Sequence, residues 1–161
     1  MLDILQPGDI ILRGYTNYVD GWFVPGDYSH GAIYVGDNTI VHAIAKGVST
    51  IDAIEFCMCD RICILRPSRN KATALKTAKK LAKENVPYDF GFKRGTSALY
   101  CFELCAECYK RLDLKRKTAK AFFGLLRKKD VYLADSFLES PDFRRIFEFN
   151  PKQKVDYLLE D

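Results

Sequence analysis

The side chains of this chain best equipped for chemistry are one cysteine, Cys101, and the only two histidines, His30 and His42. Both histidines fall in the stretch Ser29-His30-Gly31-Ala32-Ile33-Tyr34-Val35-Gly36-Asp37-Asn38-Thr39-Ile40-Val41-His42-Ala43. Cys101 opens Cys101-Phe102-Glu103-Leu104, whose apolar spacing predicts the start of an amphipathic helix. A free thiol, with a pKa near 8.5, is mostly protonated at neutral pH, and the thiolate is the attacking species. A helix N-terminus and a neighbouring imidazolium each favour the anion, and backbone N–H groups at the same helix end suit the oxyanion of a tetrahedral intermediate. One imidazole would then act as base, and a second polar ring would fix its tautomer. The chemistry expected is nucleophilic attack by Cys101.

That chemistry depends on register. The β-branched runs Ala32–Val35 and Thr39–Ile44 flank Gly36-Asp37-Asn38, which reads as a hairpin turn. A three-residue turn sets Val35 against Thr39 and Ala32 against His42, with both histidines on one side as diagonal neighbours, Cα atoms roughly 7–8 Å apart. A two-residue turn sends them to opposite faces and breaks the argument.

The supporting elements follow from the same patterns. Ile10-Ile11-Leu12 reads as a buried strand after the turn Pro7-Gly8-Asp9, and Gly14 to Tyr28 as a loop. Val48–Ile51 extends the sheet, Asp52-Ala53-Ile54-Glu55 has capping-box spacing for a short helix, and Arg61–Arg66 is a strand closed by Pro67. Ser68 is the expected cap of a helix from about Lys71 to Glu84. A loop from Tyr88 to Leu99 leads to a helix from Cys101 to Leu112, with Cys101, Leu104, Cys105, Cys108 and Leu112 on its apolar face and Glu103, Glu107 and Arg111 on another, where the last two pair. A final strand is expected at Arg145–Phe149. Sheet and helices segregate along the chain, which predicts an α+β layer fold in a single domain spanning residues 1–161.

Composition is that of an ordinary globular protein, 48% hydrophobic and 29% charged. No apolar run approaches the roughly 18–20 residues that span a bilayer, and residues 1–9 lack the basic and apolar regions of a signal peptide. The expectation is a cytoplasmic protein in which most of the six cysteines are free thiols. Lys110 to Lys129 carries nine Lys or Arg, one acid and the apolar knot Ala121-Phe122-Phe123-Gly124-Leu125-Leu126. It reads either as a solvated face or as a basic amphipathic segment that meets an anionic lipid or membrane surface. No nucleic-acid module accompanies the charge, so no nucleic-acid partner is expected. Neither Cys57, Cys59 and Cys63 nor Cys101, Cys105 and Cys108 forms paired C-x-x-C knuckles, and no histidine is near either group in sequence, so no metal is expected.

The residues also resemble a known family. Ser29-His30-Gly31-Ala32-Ile33-Tyr34-Val35-Gly36, followed by Val41-His42-Ala43, resembles the His-x-x-Ile-Tyr-x-Gly and His-Ala elements of NlpC-type papain-like cysteine hydrolases. In most of that superfamily the cysteine precedes these strands. Here it follows them, in Tyr100-Cys101-Phe102-Glu103-Leu104, which resembles the Tyr-Cys-Ser-Glu-Leu of the circularly permuted YiiX-like branch. Gly8-Asp9-Ile10-Ile11 and Val86-Pro87-Tyr88-Asp89 are further matches. The resemblance implies a papain-like α+β fold in permuted order, antiparallel sheet first and nucleophile-bearing helix after it. It implies Cys101 as nucleophile, His30 as base, His42 as the orienting residue and Tyr88 as a substrate-binding residue, with no cofactor. The activity implied is thiol-dependent hydrolysis of an amide bond in a small peptide. Lecithin:retinol acyltransferase and its relatives share the permuted layout and act on lipid esters, which offers a second substrate class. A catalytically silent lipid- or peptide-binding protein is a third reading. Two departures stand out: the permuted branch often has glutamate where His42 stands, and Phe102 replaces a small serine, which narrows the site or favours an apolar substrate.

Overall fold

The computed structural model describes residues 2–15, 26–93, 95, 97–120 and 128–151. Its centre is a six-stranded antiparallel sheet in the order β4-β3-β2-β1-β5-β8. The strands are β1 (Ile10–Gly14), β2 (His30–Gly36), β3 (Thr39–Ile44), β4 (Gly47–Asp52), β5 (Arg61–Pro67) and β8 (Phe143–Phe149). Strand β1 lies between β2 and β5, so Ile10, Ile11 and Leu12 lose all solvent contact on both faces, as a continuous apolar run requires. Arg66 clamps the start of β1 to the end of β5 through a two-point ion pair with the fully buried Asp9, at 2.9 and 2.8 Å.

Helices α1 (Ala53–Phe56), α2 (Lys71–Lys83), α3 (Cys101–Cys108) and α4 (Asp135–Leu138) complete the α+β architecture. Ile10, Leu12, Ile33, Val41 and Ala43 pack with α2 and α3 in the larger core, which includes Cys101. Ile11, Ala32, Ile40 and Ile62 alternate with them in sequence and form a smaller cluster with Ala53 and Phe56 of α1. The sheet is therefore apolar on both faces.

The hairpin turn differs from the expected one. Asp37 and Asn38 form a two-residue turn, both at positive φ (50° and 54°). The register shifts between Tyr34 and Gly36, so Gly36 rather than Val35 stands against Thr39. This bulge supplies the extra residue, and Ala32 still pairs with His42. Both histidines reach the same side by a different route from the one the turn sequence suggests.

Other expectations are corrected at element ends. Asp52 caps α1 as expected, accepting from the N–H groups of Ile54 and Glu55. Ser68 does not cap α2; Asn70, in a left-handed conformation, holds that position, and Ser68 Oγ contacts Asp142 instead. Helix α3 ends at Cys108 rather than Leu112, and Glu107 pairs with Lys110 rather than Arg111. Part of the basic segment is a β-hairpin, β6 (Lys117–Lys120) paired with β7 (Lys128–Val131). Its apolar knot, with Phe122, Phe123, Leu125 and Leu126, lies outside the described residues, as does most of the Gly14–Tyr28 segment.

Candidate active site

The structure joins His30 and His42 directly. His30 Nε2 lies 3.4 Å from His42 Nδ1, and the two rings meet edge to face at a centroid distance of 5.5 Å. The Phe56 ring sits against both, at 5.6 and 5.9 Å. His42 is 4% exposed, and burial with the nearby Arg13 charge pushes its pKa down to about 4. His30 is held well below the ordinary histidine value by burial, Arg13 and His42. Both imidazoles are therefore neutral at pH 7. One ring N–H bridges the pair, and the arrangement that leaves His30 a free acceptor has His30 Nε2–H donating to His42 Nδ1. His30 Nδ1 then carries the lone pair of a base.

Cys101 lies on the side of the sheet covered by α3, against the main chain of the same strand start. Its Sγ contacts the Ser29 carbonyl at 4.0 Å, and the backbone N–H groups of Gly31, Phe102 and Cys101 itself favour the thiolate. Ser29 and Gly31 are the chain neighbours of His30, so the sulfur lies beside the His30 backbone, whereas the His30 and His42 rings lie with Ala32, Ile40 and Phe56 on the opposite face of the sheet. No side chain caps α3: Tyr100 at the N-cap uses its hydroxyl to accept from Tyr132 N–H at 2.7 Å. The first N–H groups of the helix are thus left for the sulfur and for an oxyanion.

The expected thiolate is not the resting state. Cys101 is 3% exposed, and burial pushes its thiol up to about 11 despite the helix end and the backbone donors. Desolvation of a sulfur anion outweighs the partial charge of one helix terminus here. The same penalty raises Cys57 to about 11 and Cys63 to about 12, and carries Cys105 well above the thiol range.

Gly31 sets how closely α3 approaches. A Cβ there would lie 2.9 Å from Cδ1 of Phe102, a ring only 1% exposed. Gly31→Ala should therefore displace the first turn of α3 and cost about 1–3 kcal/mol, read by urea denaturation. An unchanged midpoint would contradict this close contact.

Tyr88 is half-buried and stacks with the exposed Phe90 at 4.9 Å. Its neighbour Pro87 accepts from Leu99 N–H at 2.9 Å, which ties this turn to the segment two residues before Cys101. Asp89 then closes the turn by accepting from the N–H groups of Gly91 and Lys93.

Two residues to which the sequence assigns no functional role belong to this region. Arg13 faces His30 across the β1–β2 pair. Glu103, expected on a polar helix face, is 4% exposed, and burial pushes its carboxyl up to about 7 against the opposing pull of Arg116, 3.9 Å away. A carboxyl raised from 4.5 contributes stability below that pH and loses it as pH rises towards 7. Glu103→Gln, which mimics the protonated form, should match the wild type near pH 4 and exceed it by about 2 kcal/mol above pH 7. Denaturation at the two pH values reads the difference; equal stabilities at both would refute it. The histidines act in the opposite sense. Between about 6.5 and 4 the unfolded chain protonates its His42 while the folded chain does not, so this contribution falls as pH falls.

A thiol at the start of a helix, packed against an antiparallel sheet that carries paired histidines and precedes it in sequence, defines the papain-like fold in permuted order. The chain belongs to the family of permuted papain-like amidase enzymes of the YaeF/YiiX type, C92, which matches residues 4–147. The family is of the cysteine hydrolase or amidase kind. Protein OPG091 of Variola virus is 27% identical over 161 aligned residues, covering 94% of this chain and 91% of the relative; OPG091 of Vaccinia virus, strain Copenhagen, gives the same figures. The Monkeypox virus protein of that name is 25% identical over 167 aligned residues with the same coverage. Among solved structures, the metalloprotein YiiX of Escherichia coli O157:H7 has the same fold, with a TM-score of 0.73 and 18% identity over 91% of this chain and 98% of that one. Among the described residues of the present chain, no three His, Cys, Asp or Glu side chains converge as metal ligands. No helix among them is long and apolar enough to cross a membrane.

Proposed function

We propose that this protein hydrolyses an amide bond in a small peptide through an acyl-cysteine intermediate, with Cys101 as nucleophile, His30 as base and His42 as the residue that orients His30. The observation that carries the reading is the convergence of three elements at the start of β2: the Cys101 sulfur, the uncapped N–H groups of α3, and the strand position of a histidine already paired with a second one. Both reacting groups start neutral, so the proton moves as the bond forms. In this reading the start of β2 rearranges so that His30 Nδ1 reaches the thiol, and the sulfur attacks the carbonyl carbon while Nδ1 takes the thiol proton. The oxyanion is received by backbone N–H groups of α3. His30 then protonates the leaving nitrogen, the C–N bond breaks, and the amine departs. Water, deprotonated by the same nitrogen, cleaves the thioester and restores the free thiol.

Tyr88 and Phe90 form an aromatic pair on the loop tied to the start of α3, and in this reading they receive the substrate's apolar part. The test is incubation with small peptides containing D-glutamyl and diamino-acid linkages, alongside phospholipid vesicles. Release of a new primary amine, absent with Cys101→Ala, supports the reading. Release of fatty acid instead would replace it by a lipid acyl hydrolase, and release of neither would overturn it.

A further inference from the structure

Arg13 closes an otherwise apolar strand, and its side chain is held in place. Its guanidinium carbon lies 4.2 Å from the centroid of the Phe56 ring and 5.5 Å from that of Tyr15, and its Nη1 donates to the Phe56 carbonyl at 3.1 Å. Its Nε is buried without a hydrogen-bond partner. Arg13 is the register partner of His30, and the ring it covers is the one that touches both imidazoles. Among the described residues it has no carboxylate partner, in contrast to Arg61 and Arg66, which are paired with Asp27 and Asp9. An arginine keeps its charge at any working pH, and in a part-buried setting that charge is weakly screened.

We propose that Arg13 is a positioning residue whose guanidinium, fixed on the Phe56 ring beside the buried His30–His42 pair, adds to burial in opposing an imidazolium there. The proposal deepens the hydrolase reading and rests on it for its purpose. A second positive charge on either imidazole would face, across the Phe56 ring or the β1–β2 pair, a guanidinium held by its stacking and its bond to the Phe56 carbonyl. Among the described residues, the other titratable groups around the pair do not offset it. From β1 the group is Arg13, from β2 and β3 each imidazole faces the other, and beyond Phe56 come the thiols of Cys57 and Cys59, both kept protonated by burial. Asp52 and Asp60 act on those two thiols, and Cys101 is itself protonated. The consequence is a site that works by general base rather than by a preformed thiolate–imidazolium pair, because the charge that favours the thiolate also opposes the imidazolium.

With only two histidines in the chain, the ring C–H signals read the proposal directly by NMR titration. In the wild type both rings should titrate below the ordinary histidine value of 6.5. Arg13→Gln should raise both midpoints by about one pH unit or more, and Arg13→Lys, which keeps the charge, should hold them low. A purely structural arginine would give no such rescue by lysine. Wild-type midpoints at or above 6.5 would overturn the proposal, and this arm needs no variant to fold. Unmoved midpoints in an Arg13→Gln protein with native amide signals would overturn it as well. The titration uses no substrate, so it fails or succeeds separately from the amide-hydrolysis assay.

Discussion

Replacing Cys101 by alanine should abolish acyl transfer, a loss of roughly three orders of magnitude or more, while changing stability by no more than about 1 kcal/mol. The two halves of this expectation have different origins. The sulfur meets only weak polar partners, the Ser29 carbonyl and backbone N–H groups at the start of α3, so its removal strands no strongly bonded buried group. The chemistry has no substitute nearby: Cys105 and Cys108, the other thiols of α3, are buried, and burial raises both. Cys105→Ala is the control: this side chain lies in the same core as Cys101, so its loss should cost a similar amount of stability and leave turnover untouched. Rates on a cleaved peptide, with urea denaturation beside them, separate the two variants.

His30→Gln should lower the rate by about 10²–10⁴-fold, the usual worth of a general base. The neutral resting thiol makes the loss heavy, because no preformed thiolate remains to react without it. The wild type should keep activity on the acid side of pH 6.5 and lose it only as the lowered histidines protonate. In His30→Gln that acid limb should vanish, and the residual rate should instead climb with pH towards the thiol's value of about 11. His42→Gln should cost less than His30→Gln, since it leaves the base and removes the partner of its other nitrogen. A rate–pH profile unchanged by His30→Gln would remove this residue from the mechanism.

The sheet is legible where apolar or β-branched runs meet turn residues, as in Ile10–Leu12, Thr39–Ile44 and Arg61–Arg66. The hairpin shows the limit of such reading. Gly36-Asp37-Asn38 suits a three-residue turn and a two-residue turn with a bulge equally, and only the packed faces choose between them. Helix α3 was read too long because Leu112 continues its apolar spacing. Tyr109 ends it, and the Tyr109 hydroxyl donates to the Gly8 carbonyl on a distant part of the chain. The hairpin β6–β7 was hidden because a run of lysines has no hydrophobic period of either kind.

Of the candidate site, residue identities were visible and protonation states were not. A helix N-terminus is a local property readable from spacing, whereas the desolvation of Cys101 comes from residues that close around it only in the fold. Glu103 was misplaced for the same reason, its partner Arg116 lying beyond the end of α3. Arg13 carried one signal, a charged residue ending the run Ile10-Ile11-Leu12, but its position beside His30 depends on a strand pairing that no local pattern reveals.

The most direct test of the central claim is acyl transfer from an activated acetyl ester, quenched early and read by intact mass and peptide mapping. The account predicts one acetyl group on Cys101, formed at least tenfold more slowly in His30→Gln and hydrolysed on standing. Acetylation spread over the other thiols, or on Cys101 at a rate indifferent to His30, would contradict it.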